Sequence, residues 1–218
     1  MFSGIRNLLI HPKLFFERVS KEKVNLVPPL IIIGIGLLAL IIGKAIAVFL
    51  VLAHFSSFFE SSGGLFGILI GLIFCHTIVP LLTWIVMILG TYGTSRFLNG
   101  KGSLAVTVQN TGYGFLPWTF FTIASLVSSS IIFVIFHAWP LPPGNSIWWY
   151  WIFWIAAFFG IVFFSWQWYL WVLAVKYTHG FTFRKAAAAT IIPVVIVIWL
   201  TIPVQVWINT IVMTISGT

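Results

Sequence analysis

The sequence predicts an all-α protein: a polytopic membrane helix bundle with five transmembrane helices and a short N-terminal amphipathic interfacial helix. Three observations carry that expectation. The 218 residues are 61% hydrophobic and only 6% charged, with a mean hydropathy of +1.12. Soluble domains carry about 25% charged residues, and a chain of this length cannot hide so much apolar surface in a water-facing fold. Several apolar runs also reach the roughly 20 residues that a helix needs to cross hydrocarbon. Finally, lysine and arginine fall in alternate loops, as they do when a chain weaves through a bilayer.

Residues 1–27 read as a cytoplasmic segment. In "FSGIRNLLIHPKLFFERVSKEK", Pro12 suits a first helical position. Leu14, Phe15, Phe16 and Val19 then share one face, with Lys13, Glu17, Arg18 and Lys21 elsewhere. This pattern predicts a helix lying on the cytoplasmic leaflet, with membrane lipids as its partner. Apolar burial would hold it there, and its lysines would be drawn to anionic headgroups. The other reading is a basic, unstructured tail. No small-residue cleavage pattern follows a short apolar core, so the segment does not resemble a secretory signal.

Residues 28–218 form the expected membrane domain, with spans at about 28–53, 65–92, 115–136, 151–175 and 186–213. They are interrupted mainly by glycine, proline, serine and threonine, which neighbouring helices can accommodate. The short alternating runs of a membrane barrel are missing. Of the eleven cations, Arg6, Lys13, Arg18, Lys21 and Lys23 precede the first span. Arg96 and Lys101 lie in the second loop, and Lys176, Arg184 and Lys185 in the fourth. The first and third loops carry neither lysine nor arginine. The N-terminus is therefore expected in the cytoplasm and the C-terminus outside. Trp148, Trp149, Tyr150, Trp151 and Trp154 crowd one end of the fourth span, and Trp166, Trp168 and Trp171 approach the other. Indoles prefer the headgroup level. A cation cage would also use them, but no acid stands nearby.

The same pattern restricts the chemistry. The net charge of +8 sits at span ends, so it does not call for nucleic acid. The acids are Glu17, Glu22 and Glu60, none of them inside a span, which leaves no carboxylate relay and no glycosidase pair. Cys75 stands alone, and His11, His54, His76, His137 and His179 are dispersed in depth, so no metal site or cofactor is expected. Serines lie outside any nucleophile elbow. The expectation is a protein that is not an enzyme.

The candidate functional residues inside the membrane are Lys44, His76, Gln109, Asn110 and Gln167. Lys44 either snorkels to the interface or serves a polar interior. His76 is either packed between helices and bonded to a neighbouring span, or a pore or catalytic residue. Together with Gln205 and Asn209, these residues offer the lining of a polar cavity, or else interhelical hydrogen bonds. The candidate contacts in the cytoplasmic loops are Arg96, Lys101, Ser103, Arg184 and Lys185. "NGKGS" resembles a phosphate loop only superficially, because it follows no strand. Leu104 to Thr111 should instead begin the third helix, with Gly112, Gly114 and Pro117 permitting close packing or a kink.

The two basic loops also resemble each other. "RFLNGKGSLAVTV" and "KYTHGFTFRKAAAA" each leave a span with glycine and offer a hydroxyl, Ser103 or Thr182, to cap the next helix. Each following helix later meets a proline, Pro117 or Pro193.

Taken together, "LLIHPKLFFERV", "GKGSLAVTVQNTGYGFLP" and "HGFTFRKAAAATIIP" resemble the Yip family, the Ypt/Rab-interacting five-span membrane proteins and their prokaryotic relatives. The likeness runs over almost the whole chain. Eukaryotic members of that family are linked to vesicle trafficking and bind Rab-type GTPases and one another, and they carry a longer cytoplasmic N-terminal region. The resemblance implies a short prokaryotic-type member in a plasma membrane, with a protein partner or a second copy of itself. It implies no catalytic residues. The expected function is non-enzymatic membrane organisation or partner recruitment; the alternative is a small transporter, channel or lipid-handling protein.

Overall fold

The computed structural model describes residues 2–54, 78–138, 146–196, 199 and 210, and every described element is helical. The helices are α1 (Phe2–Ile10), α2 (Pro12–Val19), α3 (Val27–His54), α4 (Val79–Phe97), α5 (Leu104–Tyr113), α6 (Leu116–Ala138) and α7 (Ser146–His179), followed by α8 (183–196). Among the described residues, Ala157–His179 is long and apolar enough to cross a membrane, and Val27–Gly43 is a shorter apolar helical stretch.

The first apolar run matches α3 to within a residue at each end. Three other elements differ from expectation, each for a local reason. The N-terminal segment forms two helices rather than one. Proline disfavours helical geometry in the residue before it, and His11 (φ −132°, ψ 62°) breaks the helix there. The run expected to open the third span is a separate short helix, α5, divided from α6 by a turn at Gly114 and Phe115. The fourth run extends past Val175 to His179 and ends only where Gly180 takes φ +70°.

The two basic loops are built alike. Asn99 (φ 62°) and Gly180 (φ 70°) each adopt the left-handed conformation that closes a helix. The next amide then reaches back five residues, Gly100 to the Ser95 carbonyl (2.7 Å) and Phe181 to the Lys176 carbonyl (3.0 Å). Both are Schellman endings. Ser103 Oγ then accepts from the Val106 amide, and Thr182 Oγ1 from the Lys185 amide, each at 3.4 Å. The faint sequence repeat is thus a repeated turn.

α3 packs most extensively on α6, and α7 bears on α2, α4, α5 and α6. Helices in lipid gain little from excluding water between them, so close approach and hydrogen bonds carry more of the association. Such approaches recur. A Cβ on Gly36 would fall 2.5 Å from the Trp118 ring, one on Gly112 would fall 2.7 Å from Pro29, and one on Gly90 would fall 3.0 Å from Pro193. Beside Gly36, the Thr119 hydroxyl donates to the Ile32 carbonyl at 2.9 Å. Pro193 has no N–H for the carbonyl of Ala189, one turn earlier. The Thr94 hydroxyl of α4 lies 2.8 Å from that carbonyl and 2.8 Å from the Gly90 carbonyl of its own helix. Its one proton is shared, and the proline's missing bond becomes in part a bond between helices.

Two predictions follow from these contacts. Gly36→Ala should lower stability by about 1–3 kcal/mol, read as a lower thermal midpoint in detergent. Gly34→Ala, where a methyl would meet nothing within 4 Å, should leave stability unchanged or raise it, because alanine favours the helix. Thr94→Val should cost about 1–3 kcal/mol for the stranded carbonyl. In a Pro193→Ala background the helix regains its own amide, and the same substitution should cost markedly less.

Candidate functional site

The best-formed constellation lies where α2, α5 and α7 meet. α5 begins at the Ser103 cap, so its register points Thr107, Gln109, Asn110 and Thr111 into the protein. Gln109 and Asn110 are both buried. Gln109 Nε2 donates to the Val19 carbonyl at 3.4 Å, and its Oε1 accepts from the Asn25 backbone amide. Asn110 Nδ2 donates to the Ser20 hydroxyl at 2.8 Å and to the Thr178 hydroxyl at 2.7 Å. Its Oδ1 is buried without a hydrogen-bond partner. Two adjacent amides therefore grip the C-terminal end of α2, the linker to α3 and the end of α7.

Apolar packing surrounds this grip. Leu8, Phe15, Phe16 and Val19 are buried with Ile32, Leu116, Leu170, Leu173 and Ala174. Phe15 meets Tyr113 edge-on, with ring centroids 4.9 Å apart. Burial, and secondarily the Glu22 carboxylate, raises the Tyr113 phenol above its ordinary pKa, so it stays neutral. The expected lipid-facing surface of α2 is thus largely covered by protein. Phe15, Phe16 and Val19 turn inward against α7, and Leu14 remains outside. Burying a large apolar side chain away from water contributes about 1.5–3 kcal/mol, but lipid would cover this face almost as well. The amide bonds of Gln109 and Asn110 therefore decide that the helix docks on the bundle.

His179 closes the C-terminal end of α7. The Thr107 hydroxyl donates to the Ser103 carbonyl at 2.9 Å, so across the 3.1 Å contact it accepts from His179 Nε2–H. The imidazole is then a donor to this hydroxyl and not a base for it. The ring stacks on Phe181 with centroids 5.7 Å apart. A Cβ on Gly100 or Gly102 would fall 2.7 or 2.9 Å from Nδ1. The two loops close over the ring, and the Lys101 amide donates to the His179 carbonyl at 3.4 Å.

Lys44 and Gln167 stand away from this cluster. Lys44 lies on α3, seventeen residues or about 26 Å along the helix from Val27. Gln167 is buried on α7, about 16 Å along the axis from Thr178. His76, Gln205 and Asn209 lie outside the described residues. Among the loop residues, Arg96 Nη1 donates to the Gly100 carbonyl at 3.2 Å, Ser103 is the α5 cap, and Lys101 and Arg184 are exposed. Lys185 Nζ sits 4.8 Å from the Phe181 ring centroid. Sequence reasoning missed Ser20, Asn25, Thr107 and Thr178, and it placed His179 only in a loop. The one available signal was the pairing of "THG" with "NGKGS" as matched turns.

The fold and this cluster define an all-helical protein with a helix fit to span a membrane, and with an N-terminal helix pair docked on the bundle. The chain belongs to the Yip1 domain family, whose model matches residues 6–202. That match takes in α2, the amide cluster and both basic loops. Comparisons with curated proteins and with solved structures returned no match.

Asn110→Ala should release the helix pair without unfolding the bundle. Limited proteolysis within residues 20–26 should speed up severalfold, while the rest of the chain stays resistant. Stability should fall by about 1–3 kcal/mol, the cost of stranding buried partners.

Proposed function

We propose that this chain is a non-enzymatic, multi-pass membrane protein of the Yip family, in a prokaryotic plasma membrane. It has five spans, a cytoplasmic N-terminus and an external C-terminus. Its cytoplasmic end recruits a protein partner, or a second copy of the chain, in membrane organisation akin to trafficking. The observation that carries this reading is the built character of that end: the helix pair, the Asn99–Ser103 loop and the Gly180–Thr182 turn are joined by the bonds of Gln109, Asn110, Lys101 and His179. Such a surface is preorganised, which lowers the ordering cost of binding.

Membrane residence is supported by large exposed side chains along the helices, including Leu30, Ile35 and Leu38 on α3, Leu82 and Leu89 on α4, and Phe158, Ile161 and Phe164 on α7. Water-soluble monomers rarely leave such extended apolar surfaces uncovered. The charge alternation supports the orientation, and the attraction of the anionic inner leaflet supports the basic side being cytoplasmic. Transport would call for the intramembrane polar residues to converge. Gln109 and Asn110 are instead engaged in the docking of α2, which favours the recruitment reading over that alternative.

Site-specific photo-crosslinking in native membranes tests the proposal. A photoreactive residue at Arg184 should give a discrete protein adduct, and one at Ile161 should give lipid adducts only. Absence of a protein adduct from Arg184, Lys101 and Lys185 alike would remove the recruitment reading.

A further inference from the structure

Docking of α1 and α2 uses one face of the pair and leaves another. Leu8, Phe15, Phe16 and Val19 are spent on the bundle. Around the break at His11 and Pro12, Leu9 (40%), Ile10 (55%) and Leu14 (64%) stay exposed. Arg6 and Lys13 flank them, also exposed. The two acids of this region are already engaged within their own segment, Glu17 with Lys21 at 2.9 Å and Glu22 with Arg18 at 3.6 Å. No described carboxylate pairs with Arg6 or Lys13. The pair therefore presents a small aliphatic knob bordered by uncompensated positive charge.

We infer that this outward face of α1–α2 is a seat for anionic phospholipid: Leu9, Ile10 and Leu14 enter the acyl boundary, and Arg6 and Lys13 meet the phosphate headgroups. The inference rests on the membrane reading above and relocates the lipid contact from the α2 face, where the sequence put it, to the break between the helices. Charge complementarity selects the occupant. An apolar layer beside an anionic layer is the order found at a leaflet surface, where each basic residue contributes about 1 kcal/mol of attraction. The placement is consistent, because the linker from α2 leads into α3, whose first turns expose Val27, Leu30 and Ile31. Since α2 is fixed by Gln109 and Asn110, the knob is held at a set position and does not float as a free amphipathic helix would.

The test uses the full chain, with Cys75→Ser and a fluorescent label on Ile10→Cys, reconstituted in phosphatidylcholine vesicles containing phosphatidylglycerol. A second label at Leu14→Cys guards against a local defect. The label should be quenched by shallow spin-labelled lipid. Spin-labelled phosphatidylglycerol should be preferred over spin-labelled phosphatidylcholine, and that preference should fall about fivefold for each of Arg6→Gln and Lys13→Gln. Equal quenching by both lipids would overturn the anionic selection. A label that is wet in purified vesicles but shielded in native membranes would assign the face to a protein partner. One shielded without quenching, in a manner that disappears on dilution in lipid, would assign it to a second copy. Failure of the chain to float with the vesicles would instead remove the membrane reading itself.

Discussion

The buried amide of Asn110 sets the terms for the end of the molecule where α2, α5 and α7 meet. It sits beyond the reach of water, so its hydrogen bonds must come from protein, and an unpaired buried polar group costs on the order of 1–3 kcal/mol. Its two donors go to Ser20 and Thr178, which lie on different segments far apart in sequence. Gln109 beside it satisfies both the last carbonyl of α2 and the amide of Asn25. Leaving these partners exposed or apart would strand several groups at once. The N-terminal helix pair is therefore an integral part of the fold.

The rest of the bundle is held by a related economy. Where proline removes a donor, a neighbouring hydroxyl supplies one, as Thr94 does for Ala189. Where two helices must come close, glycine clears the way, as Gly36 does for Trp118 and Gly112 for Pro29. These devices suit a setting in which burial alone favours lipid contact and helix contact almost equally. Elsewhere hydroxyls are satisfied within their own helix, as those of Thr111 and Ser130 are by the carbonyls of Thr107 and Leu126.

The long apolar run of α3 was legible to within a residue at each end because hydrophobic length is a local property. The Ser103 cap and the kinship of the two loops were legible for the same reason: turns are written in a few adjacent residues. The break at His11 was half legible, since Pro12 marked a helix start but not the separate helix before it. The roles of Gln109 and Asn110 were not legible. Their partners lie about 70 to 90 residues away, and no spacing rule links an amide to a distant hydroxyl. The inward turn of Phe15 and Phe16 was hidden as well, because an apolar face reads the same whether lipid or another helix covers it.

The docked helix pair gives this Yip1-domain chain a fixed surface beside its two basic loops. The most direct measurement is an electron spin–spin distance between nitroxide labels at Leu14 on α2 and Arg184 on α8, in lipid nanodiscs. A docked helix pair predicts one narrow distance distribution, unchanged between neutral and anionic lipid. A broad distribution, or one whose mean moves with lipid charge, would show α2 leaving the bundle and would contradict the account.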